Sequence, residues 1–264
     1  MPDSVENALS GADAVVHLAA RVHVMKDRAT DPLSEFRRVN TDATLALGRA
    51  AMREGVRRFV FLSSIKVNGE RTEGRPFTER DAPAPVDAYG VSKWEAERGL
   101  AQLGLDLVVL RPPLVYGPAV KGNFLRLMKL VARGVPLPLA GVANRRSLIY
   151  VGNLVSAIER AVRAERSVQG PLLVSDGEDL STAQLVRRLG DVMGRRARLF
   201  TLPPALLHAL GRALGKGEEV SRMIESLRVD CSAARRELQW EIPYTVEQGL
   251  RETADWFVRA HSAA

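Results

Sequence analysis

Tyr89 and Lys93 lie four residues apart in the chain, a spacing that can support acid–base chemistry. In a helix, the phenol and the ammonium would share one face. A neighbouring ammonium favours the phenolate and lowers the pKa of the tyrosine toward the range that is useful for proton transfer. Alone, the spacing is weak evidence, because a surface tyrosine beside a solvated lysine gives the same pattern.

Ser63 and Ser64 directly follow the apolar run at residues 58–62. At the carboxyl end of a strand in a parallel sheet, side chains face the crevice where ligands bind. A hydroxyl there can donate a hydrogen bond to a reacting alkoxide or carbonyl oxygen. Serines at a strand end can also simply cap a turn, so both interpretations stay open on these residues alone.

The elements that would position these residues alternate along the first half of the chain. Three apolar runs are typical of strands that are buried on both faces: residues 14–20, 58–62 and 105–110. A helix is predicted from the N-cap Asp31 to near Gly55, and another over residues 89–102. The first helix has apolar residues at helical spacing, namely Leu33, Phe36, Val39, Ala43, Leu47 and Ala50. This order predicts an α/β fold with a Rossmann-like, doubly wound parallel sheet.

Beyond Pro118 the pattern is less regular and mostly helical. Helices are predicted at residues 124–133, 153–164 and 180–193 and through most of 206–260, with extended segments at 147–151 and 172–174. We therefore expect a smaller, mostly helical C-terminal lobe beside the sheet.

Composition narrows the class of protein. The 264 residues are 46% hydrophobic and 26% charged, as in a folded globular chain, and no apolar run reaches the length of about eighteen residues that a membrane span needs. The net charge of +7 comes from arginines spread over the chain without interleaved aromatic residues, so we predict no nucleic-acid binding. A single cysteine, Cys231, fits a reducing cytoplasm, and four scattered histidines give no metal-binding spacing.

Several further segments occur in a family-specific order. They are His17-Leu18-Ala19-Ala20, Asn40, Ser63-Ser64, Tyr89-x-x-x-Lys93, Arg111-Pro112-Pro113 and the C-terminal stretch from Asp230 to Trp240. Together they resemble the extended short-chain dehydrogenase/reductase family, in its NAD-dependent epimerase/dehydratase branch. The resemblance covers nearly the whole chain.

The resemblance implies roles for the catalytic and cofactor-binding residues. Tyr89 would be the catalytic acid/base, Lys93 would bind the nicotinamide ribose and tune Tyr89, and Ser64 would polarise the substrate hydroxyl or ketone. Ala19, Ala20, Ser63 and Pro113 would line the dinucleotide together with Tyr89 and Lys93. Asn40 would have a structural or proton-relay role, although an amide that satisfies a local helix irregularity explains it equally well.

The resemblance also implies a UDP-sugar substrate and a division of the chain. Ser64, Asn123 and Arg146 would bind the substrate, the last two at its diphosphate. Arg222 either adds a phosphate contact or is a solvated surface arginine. Residues 1–118, with about 147–175, would form a partial NAD(P)-binding Rossmann domain, and residues 119–146 and 176–264 the substrate-binding lobe. The expected assembly is a homodimer.

The chain departs from the family pattern at several positions. Lys66-Val67-Asn68-Gly69 stands where Val-Tyr-Gly often follows the serine, Leu114 replaces a substrate-facing Asn of many 4-epimerases, and Asn153 replaces a common Asp. The stretch 63–70, with His23-Val24-Met25 upstream, is similar to a subgroup from surface-polysaccharide gene clusters. That subgroup contains both UDP-glucose 4-epimerase-like and 4-keto-reductase-like members, and both activities stay open.

The largest departure is at the start. The family begins with a strand, a Gly-x-x-Gly-x-x-Gly turn and a helix that hold the cofactor pyrophosphate, and roughly 60 such residues have no counterpart here. Either the start is misplaced or the product is a fragment. We therefore expect either an NAD-dependent enzyme acting at C4 of a UDP-hexose, with NADP as a possible cofactor, or an impaired remnant that binds nucleotide sugar or a partner without cofactor. In a fragment, the strand at residues 14–18 would expose an apolar edge, favouring self-association and weak NAD binding.

Overall fold

The structure is a computed structural model that describes residues 8–22, 31–168, 170–215 and 217–261. Its strands are β1 (Ala14–His17), β2 (Arg58–Leu62), β3 (Asp106–Arg111), β4 (Leu114–Tyr116), β5 (Arg146–Tyr150), β6 (Pro171–Leu173) and β7 (Asp179–Leu180). A four-stranded parallel sheet has the order β1-β2-β3-β6, and a three-stranded sheet has the order β4-β5-β7. The predicted parallel α/β fold is confirmed, although the strand predicted at residues 14–20 ends at His17.

Helices flank both sheets. They are α1 (Pro32–Arg37), a π-helical segment (Arg38–Asp42), α2 (Ala43–Arg53), a 3-10 turn (Ile65–Val67), α3 (Ala88–Ala101), α4 (Gly122–Ala132), α5 (Val151–Arg163), α6 (Thr182–Val192), α7 (Pro204–Ala213), α8 (Gly217–Ile224), α9 (Ser232–Glu237) and α10 (Val246–His261). Asp31 caps α1 as predicted, because its carboxylate accepts a hydrogen bond from the Ser34 backbone N–H. No helix among these described residues is long and apolar enough to cross a membrane.

The helix predicted from Asp31 to near Gly55 forms, and Phe36 and Ala50 of its predicted apolar face are buried, but the face departs from the prediction near Ala43. Ala43, which was assigned to the apolar face, is exposed, whereas Asn40, Thr44 and Gly48 are buried. The reason is the π-helical segment, which widens one turn and shifts the register of the residues that follow. The apolar spacing alone did not indicate this shift.

Alternate residues of β2 build the two sides of the parallel sheet. Phe59 and Phe61 are fully buried in a cluster that includes residues of α2 and α3, whereas Val60 belongs to a cluster that includes residues of α5. Each fully buried side chain of this size contributes about 1.5–3 kcal/mol to stability. The sheet is therefore covered on both faces, as a doubly wound sheet requires.

The second sheet packs against the C-terminal helices. Its buried residues form one cluster with residues of α4, α6 and α10: Tyr116, Phe124, Met128, Leu148, Tyr150, Leu180, Leu185, Leu189, Val246, Leu250 and Phe257. β5 pairs with β4 in this sheet, while β6 joins the four-stranded sheet. The division into residues 1–118 with 147–175 and residues 119–146 with 176–264 stays a prediction.

Candidate active site

Helix α3 places three chemistry-bearing side chains at successive i,i+4 positions, Tyr89, Lys93 and Glu97. The helix begins at its N-cap Asp87, where the carboxylate oxygen Oδ1 accepts a hydrogen bond from the Gly90 backbone N–H at 2.7 Å. This cap fixes the first turn, on which Tyr89 lies, and thereby the position of its phenol.

Lys93 is buried at the carboxyl end of β2. Its side-chain Nζ donates a hydrogen bond to the Leu62 carbonyl oxygen at 2.8 Å and lies 4.5 Å from the centre of the Phe61 ring. Burial lowers the pKa of Lys93 to about 8, although the Glu97 carboxylate acts in the opposite direction. The ammonium is thus held at the strand end where ligands bind in parallel sheets.

The side chains of Tyr89 and Ser64 meet at this end of the sheet, close enough for the Ser64 hydroxyl to affect the pKa of Tyr89. Burial and, to a smaller extent, the Asp87 carboxylate raise the pKa of Tyr89 to about 12, while the Ser64 hydroxyl acts in the opposite direction. The expectation that a neighbouring ammonium lowers this pKa is wrong for the structure, because burial has the larger effect. Ser64 also caps the 3-10 turn by accepting the Lys66 backbone N–H at 3.2 Å.

The Ser63 hydroxyl points into the protein rather than toward Tyr89. It donates a hydrogen bond to the Glu97 carboxylate, which also accepts the Arg111 guanidinium at 3.0 and 2.5 Å. The same guanidinium donates to Asn68 at 2.9 Å, and all four side chains are buried. The Ser63 hydroxyl therefore stabilises the strand end from the protein interior, and only the Ser63 backbone is left to contact a dinucleotide.

The predicted cofactor residues at the end of β1 are anchored by Asn40. Ala19 is exposed and Ala20 half-buried. The Asn40 amide accepts a hydrogen bond from the Arg21 backbone N–H at 2.7 Å, and its Nδ2 donates to the Arg21 carbonyl and the Ser92 hydroxyl, both at 3.0 Å. Asn40 thus joins the segment after β1 to the helix that carries Tyr89.

Pro113 is buried in the two-residue connection between β3 and β4. The carbonyl of the preceding Pro112 accepts the Ile65 backbone N–H at 2.9 Å, so this connection lies beside the Ser64 turn. The ends of β1, β2 and β3 meet at one edge, as expected for a parallel sheet.

The three residues predicted at the diphosphate lie on three different elements. Arg146 begins β5 and donates a hydrogen bond to the Glu225 carbonyl at 3.0 Å, and Arg222 on α8 lies 3.6 Å from the Glu70 carboxylate. Burial lowers the pKa of Arg146, whereas the nearby Glu70 raises it and Arg222 lowers it. The structure therefore brings the two arginines together. Asn123 lies apart from them in sequence, exposed in the first turn of α4.

Sequence reasoning missed three carboxylates near this site. Asp87 was detectable, since an Asp directly before a helix is a typical N-cap. Glu97 continues the i,i+4 series of Tyr89 and Lys93, which was a second available signal. Glu70 lies four residues after Lys66, with which it forms an ion pair, but its contact with Arg222 depends on the tertiary fold and had no signal in the sequence.

The described residues fit part of a dinucleotide site. The small residues Ala19 and Ala20, exposed and half-buried, follow β1, and the Tyr89 hydroxyl and Lys93 ammonium lie at the adjoining strand end. A Gly-x-x-Gly-x-x-Gly turn for the pyrophosphate is not in the sequence. The residues present therefore suit the nicotinamide-ribose end.

Fold and site together define a dinucleotide-dependent enzyme of the short-chain dehydrogenase/reductase type. The model of the NAD dependent epimerase/dehydratase family matches residues 1–174, and the chain belongs to this family, which confirms the predicted resemblance.

Relatives and solved structures agree with this assignment. The chain is 42% identical to a UDP-glucose 4-epimerase of Vibrio cholerae over 263 residues, which are 97% of this chain and 80% of the relative. It is 29% identical to N-acetyl-alpha-D-glucosaminyl-diphospho-ditrans,octacis-undecaprenol 4-epimerase of Escherichia coli O157:H7, covering 97% of this chain and 81% of the relative. The fold matches UDP-glucose 4-epimerase of Thermotoga maritima solved with UDP-glucose, with a TM-score of 0.76, 23% identity and coverage of 98% and 82%.

Proposed function

We propose that the chain catalyses NAD-dependent chemistry at C4 of a UDP-hexose, as a 4-epimerase or a 4-keto reductase in surface polysaccharide biosynthesis. The observation that carries this proposal is that the Tyr89 and Ser64 hydroxyls lie close together beside the buried Lys93, at the carboxyl end of β2. A hydroxyl pair of this kind can hold an alcohol or ketone oxygen and move one proton to or from it.

Tyr89, Ser64 and Lys93 would each have a different role in the reaction. The Tyr89 hydroxyl would exchange a proton with the C4 oxygen, while Ser64 would donate a hydrogen bond to the same oxygen. When bound, NAD supplies the hydride acceptor or donor. Lys93 would hold its ribose, with Ala19, Ala20, Pro113 and the Ser63 backbone around the dinucleotide; NADP is the alternative cofactor.

Two arginines would bind the substrate in this proposal. Arg146 and Arg222 would bind the diphosphate of the UDP-sugar, since a guanidinium matches two phosphate oxygens at once. Asn123, in the first turn of α4, would add an amide contact. The Vibrio cholerae relative, named UDP-glucose 4-epimerase, supports a UDP-hexose as substrate.

A homodimer in the cytoplasm completes the proposal. Val16 on β1 and Leu18 just after it are 39% and 53% exposed, which provides apolar surface for a second copy. Cys231 is a buried free thiol, as in a reducing compartment.

Sedimentation of the purified protein over a range of concentrations, with Val16→Lys as comparison, measures self-association directly. A wild-type chain that is monomeric at every concentration contradicts the dimer.

The activity test uses purified protein with two kinds of substrate. UDP-glucose and UDP-N-acetylglucosamine with NAD⁺ are followed for the C4 epimer, and a UDP-4-keto sugar with NADH or NADPH is followed for net cofactor oxidation. Epimer formation supports the epimerase, and net oxidation supports the reductase. Calorimetry measures the binding of UDP and of NAD⁺ in parallel. If the protein shows no turnover and binds UDP but not NAD⁺, the proposal is contradicted and a cofactor-free nucleotide-sugar binder is supported.

A further inference from the structure

Lys66 occupies the segment where the chain departs from its family, and none of the proposed steps uses it. It lies two residues after Ser64, and its backbone N–H donates to the Ser64 hydroxyl oxygen. Its backbone therefore belongs to the turn that orients Ser64. Its side chain leaves this turn toward the helix that carries Tyr89.

The Lys66 ammonium contacts the N-cap of that helix. Nζ lies 2.5 Å from Oδ2 of Asp87, while the other carboxylate oxygen of Asp87 accepts the Gly90 backbone N–H. One carboxylate thus joins the Ser64 turn to the first turn of α3. Charge-assisted hydrogen bonds of this kind are about twice as strong as neutral ones and fix geometry.

Backbone packing brings the same two segments together. A Cβ on Gly90 would lie 2.9 Å from the Lys66 carbonyl oxygen, so only glycine lets the helix approach the turn this closely. The contact between turn and helix is therefore built from both the backbone and an ion pair.

Glu70 holds the Lys66 side chain in this orientation. Its carboxylate lies 2.7 Å from Nζ of Lys66, and it also lies 3.6 Å from the Arg222 guanidinium. The side chains of Lys66, Asp87 and Glu70 are 24%, 30% and 24% exposed, so the ion pairs are less screened than those on an open surface. The ammonium is fixed from two sides.

We propose that Lys66 is a positioning residue, which holds the Tyr89 hydroxyl against the Ser64 hydroxyl by binding the Asp87 cap of α3. The inference rests on the proposed function in one respect, that Tyr89 and Ser64 are the reacting pair. Lys66 itself touches neither substrate nor cofactor in this role.

Two variants and a control test it. Lys66→Gln keeps a polar side chain but loses the charge, Lys66→Arg keeps the charge, and Arg251→Gln removes an exposed ion pair with Glu247 on α10 as a control. For Lys66→Gln we expect kcat to fall about tenfold or more with KM for the UDP-hexose within about threefold, and Lys66→Arg to recover most of the loss. A merely structural residue would not give this split between kcat and KM with rescue by charge.

Amide hydrogen exchange provides a measurement that does not depend on activity. In Lys66→Gln the Gly90 amide should exchange about tenfold faster than in wild type, and in Lys66→Arg and Arg251→Gln it should not change. An unchanged Gly90 rate, an unchanged kcat or a rise in KM alone each overturns the proposal. If wild type converts no UDP-hexose, the proposed function fails separately, and the exchange result alone decides whether Lys66 positions the helix.

Discussion

At the residue scale, burial acts on Tyr89 and Lys93 in opposite directions. It raises the pKa of the phenol to about 12 and lowers that of the ammonium to about 8, because both groups are less stable when charged in a poorly solvated site. At neutral pH the Tyr89 hydroxyl is therefore protonated. This is the form that can donate a proton to a ketone oxygen at C4.

Replacing Tyr89 by phenylalanine tests the central role. Tyr89→Phe keeps the ring, which lies 6.2 Å from the Phe36 ring, but loses the group that transfers the proton. We expect turnover to fall by about 10²-fold or more while cofactor affinity stays nearly constant. Steady-state kinetics and a cofactor titration measure the two quantities. Turnover within about threefold of wild type, roughly 0.7 kcal/mol in the barrier, would remove Tyr89 from the mechanism.

His17 should make stability depend on pH. Burial and, to a smaller extent, the nearby Lys93 ammonium lower the pKa of His17 to about 4, so the folded protein favours the neutral ring. The unfolded chain takes up a proton as pH falls below 6.5, so the His17 contribution is complete above 6.5 and is lost as pH falls toward 4. We expect the free energy of unfolding to lose about 1–2 kcal/mol through His17 as pH falls, after discounting for the partial solvent exposure of the ring. Urea unfolding of wild type and His17→Gln from pH 7.5 to 5 measures it, and parallel pH curves contradict it.

At the element scale, two helices approach their neighbours through glycine, but with different tolerance. A Cβ on Gly99 of α3 would lie 2.5 Å from the tip of the Leu45 side chain, which can rotate away. A Cβ on Gly190 of α6 would lie 2.6 Å from the Arg195 carbonyl oxygen, which belongs to the backbone. Similar distances therefore have different consequences.

We expect the two alanine variants to differ in stability. Alanine gains about 1 kcal/mol in helix propensity at both positions. Gly99→Ala should stay within about 1 kcal/mol of wild type, and Gly190→Ala should lose about 2 kcal/mol through the displaced backbone. Denaturant unfolding of both proteins gives the comparison. Equal stabilities would show that the backbone around Arg195 adapts as easily as a leucine side chain.

At the scale of the whole molecule, Asp176 connects the second sheet to the elements packed against it. Its carboxylate accepts hydrogen bonds from the Tyr116 hydroxyl at 2.9 Å, the Tyr150 backbone N–H at 2.9 Å and the Asn153 amide at 2.7 Å. Asn153 in turn exchanges hydrogen bonds with the Tyr244 backbone. This group of hydrogen bonds connects strands β4 and β5 of the second sheet to α5 and to the C-terminal segment, and the Asn153 amide serves it as both donor and acceptor.

Asn153→Asp should therefore be destabilising, since it places a second carboxylate against the first. Burial already raises the pKa of Asp176, and the new charge would raise it further. An acid with a raised folded pKa loses stability as pH rises, so the variant should lose about 3 kcal/mol at pH 8 and less at pH 5.5. Thermal unfolding at both pH values, beside wild type, measures this. The same loss at both values would point to packing rather than charge.

The sequence predicts the parts of this molecule that depend on local pattern. Continuous apolar runs placed β2 and β3, the Asp31 cap and Gly55 bounded a helix, and the spacing of Tyr89 and Lys93 placed them together on α3. The features that it did not predict depend on how deeply side chains are buried and on contacts between residues that are distant in sequence. The direction of the Tyr89 pKa shift, the inward Ser63 hydroxyl and the carboxylate at Asp176 all arise from side chains that the fold brings together.

The π-helical segment has a consequence for insertions and deletions. Twelve residues separate Phe36, which faces Tyr89, from Gly48, which faces Leu100. In an uninterrupted α-helix these two positions would point about 120° apart. The wide turn absorbs one residue, roughly 100° of rotation, and brings both to the side that faces α3. Losing one residue between 38 and 42 would leave a regular helix in which these two positions are eleven residues and about 20° apart, so both would still face the helix that carries Tyr89.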